Sequence, residues 1–161
     1  MFQEIILKIF SPLIAGAILT LAFAPFSYWW IACISITLWM FLTQKFPTFQ
    51  TGFLFGLGMF STGISWVAVS MTEYGNASYL MATIMVGFFI AGLSVFPGLA
   101  SLGFTMWSRR WPTPFGQIFL LTACWVTMEA FRSWFLTGFP WLLLGYSALD
   151  SPFSGYLSWI G

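Results

Sequence analysis

The amino-acid sequence predicts an all-α integral membrane protein with about five transmembrane helices followed by an interfacial or re-entrant aromatic segment. Of the 161 residues, 60% are hydrophobic and 22% aromatic, whereas only five are Lys or Arg and four are Asp or Glu. A water-soluble domain carries about 25% charged residues, and so few charges cannot keep 20 Phe and 10 Trp in solution. The charges also divide the chain into five apolar runs of 17 to 36 residues. Each run is long enough to cross a bilayer.

The first apolar run predicts two helices, at residues 5–24 and 28–46. Pro25 separates them, because proline disfavours continued helix and marks a turn. The first helix could instead be a cleaved signal peptide, since the Ala-Phe-Ala sequence at 22–24 resembles a processing site. However, its one early basic residue, Lys8, is balanced by a nearby acid, and its apolar stretch is long for a signal core. A retained helix is therefore favoured.

Glycine and proline shape the third and fourth predicted helices, residues 51–71 and 79–107. Gly52 and Gly56 form a G-x-x-x-G pair, which allows the backbone of a neighbouring helix to approach closely. Packing within the chain is favoured over a dimer contact, since small residues are common in membrane helices. The run from residue 79 to residue 107 is too short for two spans and a turn, so it predicts one tilted helix that bends near Pro97.

The fifth predicted helix, residues 115–131, is followed by an aromatic segment at residues 133–161. Glycine and proline interrupt this segment repeatedly, so no continuous span fits there. An irregular backbone cannot face lipid. The segment is therefore predicted to lie at headgroup depth, where aromatic rings are favoured, and to be supported by the rest of the protein.

The basic residues predict the orientation of the chain. With a cytoplasmic N-terminus, Lys8, Lys45, Arg109 and Arg110 all lie inside, and Arg132 is the one basic residue outside. The reverse orientation would place one basic residue inside and four outside. The sequence therefore predicts that the N-terminus is cytoplasmic.

The sequence carries little chemistry of its own. It has no histidine, which is the commonest general base, and its four acids lie near loops instead of in mid-membrane. Cys33 and Cys124 lie in apolar runs without a neighbouring acid or base, which predicts small buried residues and not nucleophiles. No catalytic group, metal site or basic patch for nucleic acid can be assembled from these residues.

One group of residues near the end of the fifth helix favours a substrate-binding site. The candidates are Glu129, Arg132, Trp134, Phe139, Pro140, Trp141, Gly145 and Tyr146. An arginine can bind a phosphate through two hydrogen bonds, and aromatic rings can bracket an acyl chain or glycerol. The alternative is that Glu129 and Arg132 pair with each other while the rings form an interfacial belt.

Three stretches of the chain resemble the apolipoprotein N-acyltransferase family. The sequences LAFAPF at 21–26 and YWW at 28–30 are similar to the family's first outer turn. The third helix and the loop after it are matched by GFLFG at 52–56, GISWV at 63–67 and EYG at 73–75. The most specific motifs are EAFRSW at 129–134, TGFPW at 137–141 and GYS at 145–147. The resemblance covers essentially the whole chain in the right order.

This resemblance implies an enzyme of the bacterial inner membrane that matures lipoproteins. Members of the family move an acyl chain from a phospholipid to the free α-amino group of an S-diacylglyceryl cysteine at the lipoprotein N-terminus. They act through a thioester on a cysteine activated within a Glu-Lys-Cys triad, and they need no cofactor. That triad belongs to a nitrilase-like domain that this sequence does not reach, and neither Cys33 nor Cys124 matches a catalytic motif.

The resemblance therefore implies that residues 1–161 are the N-terminal membrane part of such an enzyme, with the first five of its roughly eight helices. Gly161 is then expected to be an artificial or premature end, and the chain alone is expected to be inactive. The implied partners are a phospholipid acyl donor, an apolipoprotein acceptor and membrane lipid, with no nucleic acid, and a monomer is expected. The alternative from another class is a small transporter subunit or helical scaffold whose glycine-rich third helix packs against a partner.

Overall fold

The computed structural model describes residues 2–152 and 154–156. The α-helices that lie between residues 2 and 152 are α1 (Phe2–Leu19), α2 (Trp29–Lys45), α3 (Phe49–Gly63), α4 (Trp66–Glu73), α5 (Tyr79–Trp107) and α6 (Pro114–Arg132). No strand occurs within these described ranges, which confirms the all-α prediction. The last part of the predicted aromatic segment, residues 157–161 with Gly161, lies outside the described residues, as does residue 153.

Fewer helices than predicted are long and apolar enough to cross a membrane. In the described part of the chain, Tyr79–Arg110 meets this criterion, and the bent pair formed by α3 and α4 meets it if the pair is one broken span. The apolar stretch Ile6–Ala22 is shorter. The helical class is therefore established, whereas the number of about five spans stays a prediction.

The third predicted helix, residues 51–71, is broken in the structure. α3 ends at Gly63, α4 begins at Trp66, and the two helices differ in direction by 46°. Gly63 has a low helix propensity, and it also lies against the side chain of Leu142 from the segment after α6. The prediction of one continuous helix was wrong, and the contact with Leu142 at the break joins residues too far apart to be read from the local sequence.

Glycines allow α1, α3 and α5 to pack closely. Gly52 of α3 lies against the carbonyl oxygen of Pro97 in α5, and a Cβ at this position would overlap that oxygen. Gly58 of α3 lies in the same way against the carbonyl oxygen of Leu13 in α1. The predicted close approach at Gly52 therefore occurs within the chain.

Three buried aromatic rings join α2, α3 and α6. Trp39 lies edge-on to Trp125 with ring centroids 5.0 Å apart, and the Phe55 ring is 6.1 Å from Trp39 and 5.9 Å from Trp125. Their side chains are at most 3% exposed. Such tilted and edge-to-face pairs stabilise a core by about 0.5–1.5 kcal/mol each beyond the area that they bury.

The basic residues separate the two ends of the bundle. The ammonium groups of Lys8 and Lys45 lie 5.2 and 5.4 Å from the centre of the Phe46 ring, so the start of α1 and the end of α2 are adjacent. Arg132 is the last residue of α6 and lies at the opposite end. We name these the lysine end and the Arg132 end. Which of the two ends faces the cytoplasm stays a prediction.

Candidate functional site

The Arg132 end of the bundle contains a cavity of about 490 Å³, which we name the first cavity. Its lining residues come from three stretches that are far apart in sequence, within 20–26, 62–66 and 141–150. Cavities of about 300–1,000 Å³ with mostly apolar walls are typical of sites for small ligands. The lining is largely apolar, and Asp150 is the charged side chain that it contains.

The turn between α1 and α2 forms one wall of the first cavity. A single 3-10 turn, Thr20–Ala22, follows α1, so the helix ends earlier than the predicted residue 24. The backbone N–H groups of Phe26 and Ser27 both donate to the carbonyl oxygen of Phe23, each at 3.0 Å, and the Ala24–Pro25 peptide is cis. This hydrogen-bonded turn leaves the Phe26 side chain about half exposed at the cavity wall.

The break between α3 and α4 brings a tryptophan to the opposite wall. Trp66 is the first residue of α4, and its ring lies 5.6 Å from that of Trp141 in the segment after α6. Both tryptophans are about half exposed and line the first cavity. The helix break that the sequence did not predict therefore helps to build the site.

The segment after α6 has an irregular and strained backbone. Three successive residues have positive φ angles, namely Leu136 (50°), Thr137 (82°) and Gly138 (78°), and Leu142 follows with 57°. A Cβ at Gly138 would overlap the carbonyl oxygen of Ser133, so glycine is required there. For residues other than glycine, such conformations cost about 1–3 kcal/mol each and persist only where the surroundings enforce them.

Arg132 is one of the two side chains that hold this segment in place. Although charged, it is only 2% exposed. Its Nη1 donates hydrogen bonds to the carbonyl oxygens of Phe139, at 3.0 Å, and Trp141, at 2.7 Å. The guanidinium also lies over the Phe60 ring of α3, 5.3 Å from its centre. Arg132 therefore anchors the segment to the bundle.

Glu129, one helical turn earlier, holds the next part of the segment. Its Oε1 accepts a hydrogen bond of 2.8 Å from the backbone N–H of Leu144. Within the described residues, no ion pair joins Glu129 to Arg132, and each side chain binds backbone groups instead. The two charged side chains therefore hold the backbone of the segment after α6. Neither the predicted substrate-binding site nor the alternative ion pair included this role.

The other six candidates lie in different surroundings. Trp141 and Tyr146 line the first cavity and are about half exposed. Trp134 packs edge-on against Phe131, with centroids 5.1 Å apart, and lies away from this cavity. Phe139, Pro140 and Gly145 do not line it either.

Sequence reasoning missed most residues of the cavity wall. Phe23, Phe26, Gly63 and Trp66 line it but were not among the candidates. They do lie within two of the stretches that carried the family resemblance, and this was the available signal. Convergence of the resembling stretches on one cavity is visible only in the fold.

The cysteines and acids form no catalytic group in the described part of the chain. No cluster there contains three or more His, Cys, Asp or Glu side chains. Cys124 is partly buried, whereas Cys33 is exposed on α2, so the prediction that Cys33 is buried was wrong. Cys33 lies instead at an open pocket between α2 and residues 144–151, which do not pack tightly over it. The arrangement can bind an apolar ligand but offers no activated nucleophile.

Comparison with known proteins identifies relatives of this chain. Residues 15–161 match the family model of the apolipoprotein N-acyltransferase N-terminal domain. Apolipoprotein N-acyltransferases from Pseudomonas syringae pv. tomato and Pseudomonas putida are 39% and 42% identical to it over 146 residues. The enzyme of that name from Coxiella burnetii is 40% identical over 148 residues. Each alignment covers 89% of this chain but only 29–30% of the relative, so the chain spans less than a third of their length.

Proposed function

This chain belongs to the apolipoprotein N-acyltransferase family, and we propose that it forms the N-terminal membrane part of an enzyme that matures lipoproteins. The reaction would move an acyl chain from a phospholipid to the N-terminal S-diacylglyceryl cysteine of an apolipoprotein. This part would bind and position the lipid substrates without supplying catalytic groups. Family membership favours this function over a transporter subunit or scaffold.

The first cavity is the observation that supports this proposal. Three stretches that resemble the family line it, although they are separated by tens of residues in sequence. Its walls are aromatic and aliphatic, which suits an acyl chain, and it opens at the Arg132 end, where the segment after α6 lies.

The eight candidate residues take different roles in this proposal. Trp141 and Tyr146 contact the lipid or lipoprotein directly, together with Phe26 and Trp66. Glu129 and Arg132 fix the segment that carries them, through bonds to its backbone. Of the remaining candidates, Phe139, Pro140 and Gly145 belong to that segment, and Trp134 packs against Phe131 away from the first cavity, so none of the four is given a direct contact with the substrate.

The proposed topology is a multi-pass protein of the bacterial inner membrane with about five spans and a cytoplasmic N-terminus. The grouping of Lys8 and Lys45 at one end, remote from Arg132, supports it. A phosphatase reporter that requires export should be active when fused after Gly75 and inactive when fused after Arg110. The opposite pattern would reverse the orientation.

A chimera tests the proposed function. In it, this chain replaces the matching part of the P. putida relative, and transfer of a labelled acyl group from phospholipid to a diacylglyceryl peptide is measured. The chimera should be active, whereas this chain by itself should not be. Activity of the chain alone, or an inactive chimera that is correctly folded and inserted, would contradict the proposal.

A matched pair of tryptophan variants then tests the site within this chimera. Trp141 and Trp107 are 49% and 50% exposed, but only Trp141 lines the first cavity. Trp141→Ala should lower kcat/KM by about tenfold or more, equivalent to roughly 1.4 kcal/mol of binding to the transition state. Trp107→Ala should leave kcat/KM within about twofold. Equal effects of the two variants on kcat/KM would show that the first cavity is not part of the substrate-binding site.

A further inference from the structure

A second cavity, of about 480 Å³, lies between α5 and the segment after α6. Phe88, Phe89, Leu93 and Phe96 of α5 form one wall, and residues 135–139 form the other. Arg132 also lines this second cavity, although it does not line the first. An apolar chamber with one cationic side chain is thus present beside the proposed substrate site.

The guanidinium of Arg132 retains unused hydrogen-bond donors. Nη1 is engaged with the carbonyl oxygens of Phe139 and Trp141. Nε is buried and has no acceptor among the described residues, and no described residue accepts from Nη2 either. Nε and Nη2 form one edge of the planar guanidinium, the edge that binds two oxygens of a phosphate or carboxylate at once.

The charge of Arg132 is also without a contacting counter-ion in the described part of the chain. The carboxylate of Glu129 interacts electrostatically with Arg132 without contacting it, and its Oε1 accepts a hydrogen bond from the backbone N–H of Leu144. A buried cation with unsatisfied N–H groups is costly in an apolar environment, so an anionic group on its free edge would be strongly favoured.

We propose that the second cavity binds a membrane phospholipid, with the phosphate on the Nε–Nη2 edge of Arg132 and part of an acyl chain between Phe88 and Phe96. This lipid is distinct from the acyl donor, because the donor would occupy the first cavity. Binding at Arg132 does not depend on acyl transfer, so the two proposals can fail separately. The bound lipid would also steady Arg132, which holds the carbonyl oxygens of Phe139 and Trp141.

Two glycines of α5 offer a matched test. A Cβ at Gly92 or at Gly87 would meet no atom within 4 Å, so a side chain can be attached at both positions without a clash of its Cβ. Gly92 lines the second cavity, whereas Gly87 lines neither cavity. Replacing a helical glycine with leucine raises helix propensity, which makes unfolding of either variant unexpected. We expect the leucine of Gly92→Leu to occupy part of the cavity, and the variant retains Arg132 itself.

The experiment titrates the delipidated full chain in detergent with dioleoyl phosphatidylglycerol and counts bound lipid by native mass spectrometry. Two lipids should bind at saturation, one in each cavity, and binding should raise the melting temperature. Gly92→Leu should weaken the binding of one of them by about tenfold or more, and Gly87→Leu should leave the binding of both unchanged. Arg132→Lys keeps the charge but removes the two-donor edge, and should also weaken binding by about tenfold.

Two further ligands separate the possible sources of the anion. Dioleoylglycerol, which lacks the phosphate, should bind at least tenfold more weakly than the phospholipid, and so should oleate, whose carboxylate is carried on a single chain. Equal binding of dioleoylglycerol would overturn the role of the phosphate. Equal binding of oleate would overturn the assignment to a phospholipid, and unchanged binding by Gly92→Leu would overturn the location.

Discussion

The helix bundle and the segment after α6 are stabilised in different ways. In the bundle, α3 touches α1 and α5 through glycines, and backbone polar groups are satisfied inside each helix. In residues 133–148 the backbone is irregular, and two charged side chains, Arg132 and Glu129, bind its carbonyl and N–H groups. Close contact stabilises the first region, and polar bonds from a neighbouring helix stabilise the second.

This difference explains why two of the few charged residues in the chain lie at the end of α6. Irregular backbone cannot face hydrocarbon unless other groups satisfy its polar atoms. A buried charge is costly when isolated but binds backbone groups more strongly than a neutral side chain does. Arg132 and Glu129 therefore make an irregular segment possible at the end of an apolar bundle, and that segment supplies Trp141 and Tyr146 to the first cavity.

The two regions should also respond differently to substitution. The helix contacts at these glycines do not tolerate a larger residue, because a Cβ there would overlap main-chain atoms of another helix. Bonds from Arg132 and Glu129 affect only the segment that they hold. We therefore expect global effects in the bundle and local effects after α6.

The largest effect is expected from Gly58→Ala in α3. The new Cβ would overlap the carbonyl oxygen of Leu13, so α1 and α3 must separate. Overpacking of this kind costs about 1–3 kcal/mol or more, and the melting temperature in detergent should fall by several degrees or more. The control is Gly87→Ala, which has open space and a better helix propensity, and should be neutral or slightly stabilising. Equal melting temperatures for the two variants would show that the contact is not tight.

The ends of one helix could be predicted from the sequence because polar and charged residues lie next to them. Residues 79–107 were predicted as one long helix, and α5 has these bounds. The break after Gly63 was not predicted, since the apolar run continues through Ile64 and Trp66 without a charge or a proline. At the break Gly63 lies against Leu142, and a contact between residues so far apart leaves no local pattern.

The candidate site could be predicted only in part, because it too depends on contacts between residues that are far apart in sequence. Trp141 and Tyr146 were recognised because aromatic residues, glycine and proline are concentrated near them. The opposite walls, at Phe26 and Trp66, become part of the same cavity only when α1, α3 and α6 end together. The partners of Arg132 are backbone carbonyl groups, which every residue possesses, so no sequence motif could identify them.

A smaller and local effect is expected from Arg132→Met. Methionine fills similar space but loses the bonds to the carbonyl oxygens of Phe139 and Trp141. Hydrogen bonds to a charged group contribute about 1.5–3 kcal/mol, so hydrogen exchange in residues 133–148 should become about ten- to a hundredfold faster. Exchange in the middle of α3 and α5 should change little. Equal acceleration throughout the chain would mean that Arg132 stabilises the whole bundle.

The smallest effect is expected from Glu129→Gln, and it separates the two contributions that this carboxylate can make. The glutamine oxygen can still accept from the backbone N–H of Leu144, but as a neutral acceptor it forms a weaker bond. We expect a local loss of about 1 kcal/mol, seen as roughly fivefold faster exchange of the Leu144 amide. Glu129→Ala removes the acceptor altogether and leaves that amide without its partner, so its effect should be clearly larger. If Glu129→Gln and Glu129→Ala accelerated the exchange of the Leu144 amide equally, the negative charge near Arg132 would be the stabilising contribution, and the hydrogen bond to Leu144 would not be.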